Sequence, residues 1–282
     1  MLTTNADSPV VVTATDVFEK AAFERLKKMV NDKLGLNCNG YREEYVRRRF
    51  DIRLKETGTL TYSKYVNYLN KNPGEFDLLL KNLAINYTTF FRDPDVYAFL
   101  EKNIFPTLFV QPTVRIWSAG CSSGQEPYSL AMLALKLIEQ RQYNCKVTIF
   151  ASDVDRETLA DAVRGVYGAN NLEGVERWMI SKYFLKEGNL FRVKDSVKAL
   201  VKFGVHDLMK QFAYQNLDLV LCRNVMIYFS REGQQHIHMN IFNVLRPGGY
   251  FVMGKTESLS GEPAKRFKPL DIQCRVHIKP AN

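Results

Sequence analysis

Apolar positions return at helical spacing through the first third of the chain and gather into short runs through the rest, so the hydrophobic pattern divides the protein before any motif is weighed. Residues 1 to 14 are polar and β-branched without period and read as a loose leader. Asp16 and Glu19 have capping-box spacing, and Phe18, Ala22, Leu26, Met29 and Val30 recur until Gly35, which predicts an amphipathic helix. A second helix is predicted over 41–57, ending at Gly58, with Val46, Phe50 and Leu54 as its apolar stripe. Helices over 62–69 and 75–85 flank the Asn72-Pro73-Gly74 break. Asp93-Pro94 sets a capping residue before a proline at the first helical position and predicts a connecting helix to Ile104, stopped at Pro106.

Beyond Pro112 the pattern changes. The runs VRIWS, KVTIFAS, LVKFGV, LDLVLCR and GYFVMG alternate with helices opening at Glu126, at Asp155 and after Ser230, and the chain closes on a pair of strands around 267–278. Such alternation predicts a mostly parallel sheet with helices on both faces. Between residues 184 and 203 a period of two around Gly188-Asn189 predicts a small antiparallel excursion. The expected organisation is a helical domain over 1–91, a connecting helix over 92–112, and an α/β domain over 113–282 with a small β-subdomain inserted at 186–203.

Composition narrows the classes. At 46% hydrophobic and 24% charged residues the chain is ordinary globular material, and no apolar run is long enough to span a membrane. The start, MLTTNADSPV, is neither basic nor apolar enough for a secretory signal, so a cytoplasmic location is expected. Five cysteines without a CxxC pair predict neither a disulfide framework nor a zinc site, and His236 and His238, two apart on a helix, are poor metal ligands, so no metal is expected. The formal charge of +9 predicts attraction to an acidic partner without naming it. The densest basic run, YREEYVRRRFDIRLK, carries six basic and three acidic residues over 41–55. On a helical wheel Arg42, Arg49 and Arg53 fall within about 40° of one another, a basic ridge beside the apolar stripe.

The chemistry concentrates in IWSAGCSSGQEPYS, where a strand runs into Gly120, small residues and Gly124 before Glu126-Pro127 opens a helix. Small residues let the backbone approach a ligand, but the spacing matches neither the dinucleotide fingerprint nor a phosphate-binding loop. The next strand ends in FASDVD, so Asp153 stands just past its carboxyl end, where an acidic side chain can accept from both ribose hydroxyls of a nucleoside. The other reading of Asp153 is a cap for the following helix. Together loop and carboxylate point to an adenosine-type ligand without a pyrophosphate.

With these residues in view the sequence resembles the CheR family of S-adenosylmethionine-dependent chemoreceptor protein-glutamate methyltransferases, through NYTTFFRDP (86–94), WSAGCSSGQEPYS (117–129), FASDVD (150–155) and LCRNVMIYF (221–229) in that order. The resemblance implies a Rossmann-like class I methyltransferase sheet behind a helical domain, S-adenosylmethionine as cofactor, S-adenosylhomocysteine as product, and the cytoplasmic methylation region of chemoreceptors as partner. It implies cofactor contacts at Asn86, Thr88, Arg92, Gly120, Glu126, Asp153, Asp207, Leu208, Arg223 and Asn224, with Arg92 and Tyr228 beside the transferred methyl. Arg42, Arg48, Arg49 and Arg53 match the basic surface that meets the receptor. Gln125 and Lys255 depart from the family's usual residues, and the short turn KEGNLF leads us to expect no docking of a receptor tail peptide. A monomer is expected. Three alternatives stand beside this one: a nucleic-acid methyltransferase, disfavoured because CRNVMIYF lacks the turn typical of base amino-group methylation; a cofactor-binding module without catalysis, disfavoured by the presence of Arg92 and Tyr228; and an NAD-dependent oxidoreductase, disfavoured by the glycine spacing and the lack of a pyrophosphate cradle.

Overall fold

The computed structural model describes residues 14–84 and 87–281, which divide into two compact units. The first holds the residues up to Asn39 together with Glu43–Leu83; the second takes in Gly40–Arg42 and everything from Ala84 onward. Asn86 and the leader lie outside the described residues.

The first unit is four helices, α1 (Ala14–Leu34), α2 (Glu43–Thr57), α3 (Tyr62–Lys71) and α4 (Glu75–Leu83). Phe23, Leu26 and Val30 of α1 are buried with Val46, Phe50 and Leu54 of α2 and Tyr65, Val66 and Leu69 of α3. Gly58, at φ +68°, ends α2 in the left-handed conformation that glycine adopts without penalty. Thr61 caps α3 by accepting from the Lys64 N–H, and Glu19, expected to serve its own helix, accepts from the Tyr62 N–H at 2.7 Å.

The second unit begins with α5 (Pro94–Phe99), a wide π-type turn over Leu100–Ile104 and α6 (Phe105–Leu108). The predicted stop at Pro106 does not occur. The wide turn ahead of it accommodates a ring that would clash with, and deprive of a donor, a regular helical turn. Then come β1 (Thr113–Ala119), α7 (Gln125–Arg141), β2 (Lys146–Asp153), α8 (Arg156–Arg164), β3 (Val166–Gly168), α9 (Arg177–Tyr183), β4 (Phe184–Glu187), β5 (Leu190–Val193), α10 (Asp195–Lys198), β6 (Val201–Val205), β7 (Leu217–Cys222), α11 (Arg231–Val244), β8 (Leu245–Met253), α12 (Glu262–Arg266), β9 (Lys268–Asp271) and β10 (Val276–Ile278).

Seven strands form one sheet in the order β6-β2-β1-β7-β8-β10-β9, parallel from β6 to β8 and antiparallel at β10 and β9. Alternate residues of β1 face opposite cores: Val114 and Ile116 pack with Leu130, Leu133 and Leu137 of α7, while Trp117 and Ala119 pack with Phe212, Ile237 and Phe251. The antiparallel excursion is a three-stranded sheet, β3-β5-β4, that draws in Val166–Gly168 as well as the hairpin read from the sequence. The chain order reverses on either side of β1, which opens a crevice at the carboxyl ends of β1, β2 and β7.

Candidate functional site

The loop leaving β1 is shaped by glycine. Gly120 has φ +74° and Gly124 φ +92°; a Cβ on the first would stand 2.7 Å from Val225 Cγ2, and on the second 2.9 Å from Ala162 Cβ. The Gly120 and Cys121 N–H groups both donate to the Ser152 carbonyl, at 2.8 and 2.9 Å, and the Ser122 N–H donates to Asp153 Oδ2 at 2.8 Å. The loop is thereby fastened to the end of β2.

Asp153 is not the cap of α8. That task falls to Asp155, which accepts from the Glu157 and Thr158 N–H groups at 3.0 and 3.2 Å. Asp153 accepts one further N–H, that of Asp155, at 3.1 Å, and each carboxylate oxygen keeps acceptor capacity for a ligand. Burial pushes its carboxyl pKa up, and the backbone donors of Asp155 and Ser122 pull it back. The Asp153 carbonyl accepts from the His206 N–H at 2.9 Å, which brings the buried pair Asp207 and Leu208 to the same rim. The Met209 N–H donates to Asp207 Oδ1 at 3.0 Å and fixes that turn.

Across the crevice stands Arg223, at the end of β7, its side chain only 1% exposed. Nη2 donates to Asp93 Oδ2 at 2.6 Å and to the Arg92 carbonyl at 2.8 Å, and Nη1 lies 3.5 Å from Glu126 Oε2. Glu126 in turn accepts from Ser118 Oγ at 2.8 Å. Burial pushes the Glu126 carboxyl up while Arg223, Ser118 and the Arg92 charge oppose the rise. Burial also works against the Arg223 charge, yet Tyr97, Glu126 and Asp93 outweigh it and hold its pKa above the ordinary value. Two polar atoms here are buried without a protein partner, Arg223 Nε and Asn224 Oδ1. Asn224 adopts φ +61°, a left-handed conformation uncommon outside glycine.

Asp93 corrects one expectation. It has φ +58° and makes no side-chain cap to α5; its carboxylate is given to Arg223 instead. The segment it belongs to is held on α7 by the Phe91 N–H, which donates to Ser129 Oγ at 3.0 Å. Arg92 is half-buried, with its guanidinium 5.6 Å over the Tyr87 ring, and Thr88 is half-buried in the same stretch. Tyr228 ends a short turn over Met226–Tyr228, and its carbonyl accepts from the Arg42 N–H at 3.0 Å.

The four cations read as a receptor surface do not form one ridge. Arg42 precedes α2 and belongs to the second unit, where Tyr41 bridges to Phe229 and Arg42 Nε donates to the Phe229 carbonyl at 3.3 Å. Arg53 is 8% exposed inside the helical unit; Nε and Nη2 each donate to Glu75 at 2.8 Å, and Tyr65 Oη donates to the same carboxylate at 2.7 Å. A guanidinium so committed is unavailable to a partner, because withdrawing it would strand a buried carboxylate. Arg49 is half-buried over the Tyr45 ring at 5.2 Å, and Arg48 is exposed.

Sequence reasoning passed over Ser118, Asp93 and Glu257 as site residues. Glu257 lies four residues past β8 in GKTES and is 5% exposed; its oxygens accept from the Met226 N–H at 2.9 Å and the Gly254 N–H at 2.7 Å. An acidic residue just after a strand whose register faces the site was the available signal.

Among the described residues no helix is long and apolar enough to cross a membrane, and no cluster of His, Cys, Asp or Glu has the makings of a metal site. The chain matches two family models in succession, "CheR methyltransferase, all-alpha domain" over residues 21–84 and "CheR methyltransferase, SAM binding domain" over 86–276. It is 32% identical over 253 residues to a chemotaxis protein methyltransferase of Borreliella burgdorferi, covering 86% of this chain and 89% of that one. A chemotaxis protein methyltransferase of Escherichia coli is 31% identical over 249 residues, with 85% of each chain covered. A third, from Listeria innocua, is 30% identical over 234 residues, 82% of this chain and 88% of its own. With the helical unit, the mostly parallel sheet and the buried charges at its switch point, these matches mean that the chain belongs to the CheR family of chemotaxis methyltransferases.

Proposed function

We propose that the chain transfers the methyl group of S-adenosylmethionine to glutamate side chains in the cytoplasmic methylation region of chemoreceptors, leaving glutamate methyl esters and S-adenosylhomocysteine. It does so in the cytoplasm, as a protein-glutamate O-methyltransferase that needs no metal. The observation that carries this reading is the buried Arg223 joined to Glu126 and Asp93, facing Asp153 across the carboxyl ends of β7, β1 and β2.

The residues present suit the cofactor. Asp153 retains lone pairs for two ribose hydroxyls, Glu126 offers a buried carboxylate to an ammonium, and the unpartnered Arg223 Nε and Asn224 Oδ1 supply a donor and an acceptor. Asp207 and Leu208 lie on the adenine side, next to Asp153, and Gly120 allows close approach of the backbone. Asn86, Thr88 and Arg92 complete the proposed contacts. The bound cofactor supplies a methyl group activated on a sulfonium, and one C–S bond breaks as one O–C bond forms, with no proton to move.

No general base is needed, because a glutamate with an ordinary pKa of about 4.3 is ionised at neutral pH. The work of the protein is alignment, which for well-oriented reactants lowers a barrier by roughly 7–11 kcal/mol. Arg92 orients a carboxylate at the reacting centre, and Tyr228 positions the methyl or the attacking oxygen. Arg223 acts one step back, since its bond to the Arg92 carbonyl fixes the backbone from which Arg92 projects. Arg48 and Arg49 remain as the helical unit's candidates for meeting an acidic receptor helix.

The test is transfer of radiolabelled methyl to chemoreceptor-rich membranes, followed by mild alkali. Label released as methanol is expected. Alkali-stable label points to the nucleic-acid reading, and cofactor binding without transfer to the non-catalytic one.

A further inference from the structure

The turn after β7 carries Arg223, Asn224 and Tyr228, yet it is irregular and contains a left-handed asparagine, so something outside it must hold its shape. Gln234 does part of this, donating from Nε2 to the Met226 carbonyl at 2.8 Å and the Phe229 carbonyl at 3.2 Å. The other anchor is unusual. Glu257 is a buried carboxylate for which the described residues supply no cation within ion-pair distance, and its oxygens instead accept backbone N–H groups from two loops, Met226 after β7 and Gly254 after β8. Burial pushes its carboxyl pKa up, and the Gly254, Asn224, Met226 and Val225 N–H groups pull it back.

Charge-assisted bonds of this kind are short and directional, and a buried carboxylate is tolerated only while its acceptors are filled. Gly254 is part of the same device. A Cβ there would stand 2.7 Å from the Asn224 nitrogen and 2.8 Å from Glu257 Oε2, so only glycine lets the two loops close on one carboxylate. Asn224 is then set with Oδ1 buried and unpartnered, ready to accept from a ligand.

We infer that Glu257 is a positioning residue for cofactor binding, a staple that holds Asn224, Arg223 and the start of the Tyr228 turn in binding geometry without touching the cofactor itself. The inference rests on the assignment of Asn224 and Arg223 to the cofactor.

The experiment is calorimetric titration of S-adenosylhomocysteine into the full chain, well below the melting temperature of each variant, reading Kd and stoichiometry separately. Glu257→Gln keeps the shape but turns an amide donor toward one of the two N–H groups. Losing a hydrogen bond to a charged group then raises Kd by about ten- to a hundredfold with stoichiometry still near one. Gly254→Ala, which keeps the carboxylate and forces Asn224 away, is expected to raise Kd in the same direction. Glu257→Asp, which can still accept from one loop, falls between wild type and Glu257→Gln. Lys265→Ala, on the exposed surface of α12, serves as control and leaves Kd unchanged. Kd within twofold of wild type for both Glu257→Gln and Gly254→Ala overturns the positioning role, even if both variants melt earlier. Should Glu257→Gln not fold, an unchanged Kd in Gly254→Ala overturns it alone. Failure of the wild-type chain to bind at all would sink the underlying cofactor assignment instead.

Discussion

The Arg53–Glu75 pair gives the sharpest test of how the helical unit is built. Arg53 donates twice to Glu75 at 2.8 Å, Tyr65 adds a third bond at 2.7 Å, and the two charged side chains are 10% and 5% exposed. The guanidinium also meets Glu56, and Glu75 raises the Arg53 pKa well above its ordinary value. Removing one partner of such a pair leaves a buried charge uncompensated, at a cost of about 3–5 kcal/mol. Against domain stabilities of about 5–15 kcal/mol, either Arg53→Met or Glu75→Gln should bring the helical unit close to unfolding. The double variant removes both charges and should recover a large part of that loss, because a buried ion pair is worth little more than apolar replacements of similar volume. Urea denaturation followed by far-ultraviolet circular dichroism measures the four corners of the cycle. The second unit reports separately through its affinity for S-adenosylhomocysteine, which should stay at the wild-type value in all four. Single variants costing less than about 1 kcal/mol, the range of exposed pairs, would refute the reasoning. So would an Arg53→Met chain of normal stability that fails to methylate receptors, an outcome that returns Arg53 to the docking surface.

Asp153→Asn should weaken S-adenosylhomocysteine binding by about ten- to a hundredfold by calorimetry, with α8 still capped by Asp155. Arg48→Glu should raise the KM for receptor without altering cofactor affinity, and an equal loss of both would mean misfolding rather than lost docking. Tyr228→Phe should lower kcat more than KM, and unchanged turnover removes its hydroxyl from the reaction. His238 is fully buried against Phe251, and burial, helped by the charge of His277, pushes its pKa from 6.5 down to about 4. At pH 7 both folded and unfolded chains hold it neutral, but below pH 6.5 the unfolded chain takes the proton first. Stability therefore falls as pH drops towards 4, by about 3 kcal/mol at 1.36 kcal/mol per pKa unit. Comparing urea midpoints at pH 7 and pH 4.5 for wild type and His238→Leu checks this; an equally steep acid loss in the variant would discount the histidine.

Much of the fold was legible because it depends on local pattern. Helical periodicity marked the helices of the first unit, and alternation of apolar runs with helices marked the parallel sheet, since both follow from which side chains must leave water. Gly120, Gly124, Glu126 and Asp153, singled out in the sequence, come together because the carboxyl ends of adjacent parallel strands share one rim. What stayed hidden involved partners distant in sequence. The spacing that marks Asp93 as a cap cannot reveal that Arg223, 130 residues away, claims its carboxylate. The wheel that puts Arg53 on a basic ridge cannot reveal that Glu75 meets it from another helix, nor that Tyr41 and Arg42 leave that helix to join Phe229. Glu257 shows the division most plainly. By itself the sequence determines a carboxylate just past one strand and a glycine-bearing loop after another. Only the tertiary structure decides that the carboxylate is buried, because burial depends on two loops closing over it, and a buried charge must gather whatever donors those loops present.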